Sequence, residues 1–160
     1  MSMKLRTRLL QTCLIAASLL AVIFALFVFP KVPGHLVYFF HNGPAAALFT
    51  TGCYGAAAAF LVAAGTASRL LAAADRAQAF TPQVVGLLRQ LKRAVAAMTL
   101  MLCGVLPQTV VIAVAGTDPA SVIMFLLMIA IPLVVTVFLA ILERLWAAAL
   151  AYKEENDLTV

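Results

Sequence analysis

Residues 120–142 read ASVIMFLLMIAIPLVVTVFLAIL and contain no Lys, Arg, Asp or Glu. A helix rises about 1.5 Å per residue, so this stretch reaches ~34 Å, slightly more than the ~30 Å hydrocarbon core of a bilayer. The charge-free interval around it begins at 119. Three others precede it, at 9–30, 32–68 and 94–117, and the four together occupy 107 of the 160 residues. Composition agrees: 65% of the chain is apolar and 11% is charged, against about half and a quarter in a soluble domain. The expected fold class is an all-α integral membrane protein with four transmembrane helices in one membrane domain, 1–160. No length remains for a separate catalytic domain or a sizeable water-facing module.

Turn residues set the span boundaries. The first span covers 9–29 and is closed by Pro30, Pro33 and Gly34, since proline cannot donate to a helix and glycine favours a turn. Its apolar run is too long for the core of a cleaved signal, and no small-x-small pattern precedes Lys31, so a retained span is expected. Asn42-Gly43-Pro44 marks the turn into span two, 44–67. Span three is 94–115, ended by Gly116-Thr117-Asp118-Pro119, and span four is 120–142. Pro107 and Pro132 fall inside spans three and four, where a kink is expected. A loop, 68–93, joins spans two and three, and a tail, 143–160, follows span four.

The eleven basic residues divide unevenly between the two faces. With the N-terminus inside, the inner segments carry Lys4, Arg6, Arg8, Arg69, Arg76, Arg89, Lys92, Arg93, Arg144 and Lys153, and the outer ones only Lys31. The positive-inside rule therefore places both termini in the cytoplasm. Tyr38, Phe39 and Phe40 suit the outer interface, and Trp146 and Tyr152 the inner one. The net charge of +5 is then a topology signal and an attraction to anionic lipid. It is not a sign of direct nucleic-acid binding.

Chemistry is sparse. Cys13, Cys53 and Cys103 lie in three different spans with no CxxC pair, and read as small packing residues. His35 and His41 share the outer loop with too few other ligands for a metal site; Asp118 is the only outer carboxylate. No ionisable side chain stands at mid-membrane, where proton relays and ion-coupled transporters normally carry one. Threonines at 50, 51, 66, 99, 109 and 136 can bond their own helix. Gln108 is costlier and reads as a packing contact near the outer end of span three. Glu143 and Arg144 finish span four. No catalytic, metal or cofactor residues are assigned, and no enzyme activity is expected.

Two features could mediate contacts. Gly52, Gly55, Ala59, Ala63 and Ala67, with Ala56 beside them, form a smooth strip along span two. Another helix can approach such a strip closely, in the same chain or in a homo-oligomer. On the inner face, Thr81 and Pro82 read as a helix start. Val84, Leu87, Leu88 and Leu91 then repeat at helical spacing, with Arg89, Gln90, Lys92 and Arg93 elsewhere on the helix. That predicts a short amphipathic basic helix before span three, lying on lipid or docking a partner. The tail, Lys153 to Val160, reads as a solvated end whose acids could meet Arg89, Lys92 and Arg93.

Phe80-Thr81-Pro82 through Leu91, together with Glu154-Glu155-Asn156-Asp157-Leu158-Thr159-Val160, resembles the small bacterial four-span membrane proteins of domain of unknown function family 2975. Members carry a Phe-Thr-x-x-x-Val-x-x-Leu-like helix and a Glu-Asn-Asp-Leu-Thr-type tail. Val85, Gly86 and Leu87 stand where the family has a charged or polar residue, so the inner helix is less polar here. The resemblance implies an inner-membrane protein with no known enzyme activity, often encoded beside a helix-turn-helix regulator of the phage-repressor type. It implies a regulatory or accessory role through the loop and tail, with Arg89, Lys92, Arg93, Asn156, Asp157, Leu158 and Thr159 as the contact surface. The alternative expectation is a small oligomeric transporter or channel.

Overall fold

The computed structural model describes residues 3–40, 43–75, 81–116 and 120–158. Its helices are α1 (Met3–Ile23), α2 (Val32–Phe40), α3 (Gly43–Asp75), α4 (Pro82–Cys103), α5 (Leu106–Gly116) and α6 (Ala120–Leu158), with no strand among the described residues. Thr7–Val28, Gly43–Ala74, Pro82–Gly116 and Ala120–Lys153 are each long and apolar enough to cross a membrane. The protein is therefore a four-span helical membrane protein, as the charge-free intervals predict.

Proline shapes the departures from regular helix. Phe24–Val28 widens into π geometry, and the Phe29 N–H donates to the carbonyl of Phe24, five residues back, at 3.0 Å. The widening falls just ahead of Pro30, whose ring would collide with the carbonyl four residues earlier in a regular helix. The stretch expected as an outer loop coils into α2, with Pro33 in its first turn, where a missing N–H is harmless.

Span three breaks where a kink was expected. α4 ends at Cys103, and Gly104 and Val105 turn more tightly, donating to Met101 and Leu102 at 3.0 Å each. Pro107 then stands in the first turn of α5. In an unbroken helix its ring would strike the carbonyl of Cys103, and the break removes that clash. Pro132 leaves α6 continuous.

The inner helix is not separate from span three: α4 runs without interruption from Pro82 through Cys103. Its apolar stripe is spent inside the protein. Val84, Leu88, Ala94 and Val95 form one core cluster with Ala63 of α3 and Leu139 of α6, flanked by Leu91, Leu142 and Trp146. This core sits at the end of the bundle that carries the basic residues.

Gly52 and Gly55 pack within the chain. A Cβ on Gly52 would stand 2.7 Å from the Met101 carbonyl and 3.1 Å from Val105 Cγ2, so α3 meets α4 almost backbone to backbone at the break. At Gly55 a Cβ would come 2.6 Å from Met101 Sδ. Ala63 is buried, while Ala59 and Ala67 are half-buried. Ile123, Met124, Leu126, Leu127 and Met128 of α6 are exposed, as suits a lipid-facing helix.

Candidate functional site

The charged groups converge at the core end of the bundle. Arg89 and Lys92 are three apart on α4 and so share one face. Glu143 is the first residue past the uncharged stretch 120–142 of α6. Arg89 Nε donates to Glu143 Oε1 at 2.8 Å and Lys92 Nζ to Glu143 Oε2 at 2.6 Å. Each carboxylate oxygen thus has its own cation, and the two helices are pinned where they leave the apolar layer. The Glu143 side chain is 12% exposed, against 56% for Arg89 and 31% for Lys92.

Arg89 and Lys92, expected on a partner-binding surface, therefore meet a carboxylate of their own chain. Among the described residues it is Glu143 that they meet. Arg93 and Arg144 are exposed nearby. The tail backbone is helical through Leu158, where a frayed, solvated end was expected, so α6 continues about 22 Å beyond Glu143. The side chains of Glu154, Asn156, Asp157 and Leu158, and all of Thr159 and Val160, lie outside the described residues. The clamp was missed in the sequence because its members are 51 and 54 positions apart; shared location on one face was the available signal.

A second polar feature lies at the α4–α5 break. Gln108 and Thr109 are wholly buried. Thr109 Oγ1 donates to the Leu106 carbonyl at 2.8 Å. Both amide atoms of Gln108 lack a hydrogen-bond partner among the described residues. Gln108 is thus packed, as expected, but without the interhelical bond that would offset its burial, at a cost of about 1–3 kcal/mol.

No group of three His, Cys, Asp or Glu among the described residues could hold a metal ion. Cys13, Cys53 and Cys103 are free thiols. His35 lies with Nδ1 3.0 Å from the Lys31 carbonyl, a local contact on α2. His41 and Asp118 lie outside the described residues.

A family model described as a protein of unknown function (DUF2975) matches residues 29–160. The uncharacterized membrane protein YoaS of Bacillus subtilis (strain 168) is 27% identical over 158 residues, which is 98% of this chain and 99% of YoaS. No solved structure matches.

Proposed function

The chain belongs to the DUF2975 family, and on that premise we propose a non-enzymatic regulatory or accessory protein of the bacterial inner membrane, with both termini cytoplasmic. Its task in this reading is to hold or modulate a helix-turn-helix transcription regulator through the inner loop and the end of α6. The supporting observation is the continuity of α6 from Ala120 to Leu158. One rigid element joins the membrane layer to a polar tip, and the Glu143 clamp sets its position against α4. A shift of α6 in the membrane would move that tip. With Arg89 and Lys92 engaged by Glu143, the contact surface consists of Arg93 and residues 154–160.

The test is co-purification with a helix-turn-helix regulator encoded beside the gene. The intact protein should retain the regulator on membranes. Removal of 154–160, or Arg93→Glu, should release it. Retention that ignores both changes removes the basis of the proposal.

The alternative, a small oligomeric transporter or channel, draws on the unpartnered Gln108 at a broken helix, a place where transporters build sites. Against it, a groove of about 650 Å³ in the membrane layer is walled almost wholly by apolar side chains such as Phe24, Phe60, Leu102 and Ile131. Flux through proteoliposomes that falls on Gln108→Leu would favour the alternative.

A further inference from the structure

α1 packs mainly on α3, and the two antiparallel helices do not close on each other along their whole length. Between them runs a groove of about 500 Å³, lined on α1 by Gln11, Leu14, Ser18 and Val22 and on α3 by Leu61 and Gly65. Small residues keep it open: a Cβ at Gly65 would meet nothing within 4 Å. Its two hydroxyls are already used, since Ser18 Oγ donates to the Leu14 carbonyl and Ser68 Oγ to the Gly65 carbonyl. The walls are thus effectively apolar up to Gln11 and Ser68, which mark the end nearest the basic face.

Beyond that end stand two cations. Arg8 lies three residues before Gln11, on the same face of α1, and Arg69 lies four after Gly65, on the same face of α3. Both are exposed. Neither takes part in the ion pairs at Glu143. The groove therefore offers an apolar trough, an amide near one end and, about one helical turn farther toward the basic face on each helix, an exposed arginine.

We propose that this groove is a binding site for an anionic phospholipid, with the phosphate held between Arg8 and Arg69 and an acyl chain laid along α1 and α3. Charge selects the occupant. A zwitterionic lipid carries its own cation to the same level and gains less from the arginine pair, whereas a lipid with net negative charge complements it. Guanidinium forks suit phosphate oxygens, and the Gln11 amide can donate to an ester or phosphate oxygen beside them. The site is independent of any regulator contact at the tip of α6.

Native mass spectrometry of the intact protein, released from detergent with equal phosphatidylglycerol and phosphatidylcholine, tests this. Wild type should retain phosphatidylglycerol in preference. Arg8→Gln with Arg69→Gln should lower that preference by about fivefold per arginine, the equivalent of about 1 kcal/mol each. Gly65→Leu, which fills the trough and leaves the charges alone, should lower retention of both lipids. Arg144→Gln, a change of an exposed cation at the same face but outside the groove, should leave the preference intact. Circular dichroism and elution volume establish folding of each variant, and the arginine pair alone decides if Gly65→Leu does not fold. Unchanged preference in the double arginine variant, or an equal fall in Arg144→Gln, overturns the proposal.

Discussion

Glu143 is the residue on which the charged end depends. Each of its carboxylate oxygens takes a hydrogen bond from its own cation, Arg89 or Lys92. At pH 7 Glu143→Gln should therefore lower stability by about 1–3 kcal/mol, read as the thermal midpoint in detergent, between the ~0–1 of an exposed pair and the 3–5 of a buried one. A midpoint unchanged by the substitution would show the clamp to be idle. Gln108 has the opposite sign. Its buried amide has no partner among the described residues, so Gln108→Leu should stabilise by about 1 kcal/mol; a clear loss of stability would mean the amide is bonded. The sequence revealed the polarity of both residues. It could not reveal that one is paired and the other is not, because pairing depends on which helices meet.

Among the elements, the α3–α4 contact is the most demanding. A Cβ at Gly52 meets a backbone carbonyl, which cannot swing away, whereas one at Gly55 meets the end of the flexible Met101 side chain. Gly52→Ala should therefore destabilise by about 1–3 kcal/mol and Gly55→Ala by less, measured as thermal midpoints in one detergent. Equal effects would mean that the helices adjust as a unit. The strip of small residues was legible as a close-approach surface, but its partner was not, since an intrachain helix and a second copy need the same smoothness. Span number was legible because charge is expelled from hydrocarbon. Helix ends were less so: hydropathy marks the apolar layer, and α3 and α6 continue past it to Asp75 and Leu158. The position of the break, at Gly104, was illegible for another reason. Pro107 announces a disturbance, but relief can fall anywhere in the preceding turn, and the glycine there took it.

At the scale of the whole molecule, the two ends of the bundle are built differently. The buried cluster and the clamp lie toward the basic face, whereas at the other face α2 and the break of span three leave shorter, interrupted helices. That polarity parallels the distribution of charge, with Lys31 the single cation on the far side. If the positive-inside rule governs insertion, the clamped end is in the cytoplasm. Tyr38 and Tyr152 are both exposed, at opposite faces of the bundle, and so make suitable reporters. In a variant with Cys13, Cys53 and Cys103 replaced by alanine, Tyr38→Cys should react with a membrane-impermeant maleimide in intact spheroplasts. Tyr152→Cys should react only after permeabilisation. The reverse pattern would invert the protein and place the clamp and the tip of α6 outside the cell, where no transcription regulator could reach them. Orientation is thus the condition on which the regulatory reading depends. The lipid groove makes a weaker demand, because Arg8 and Arg69 need anionic headgroups only in whichever leaflet the basic end occupies.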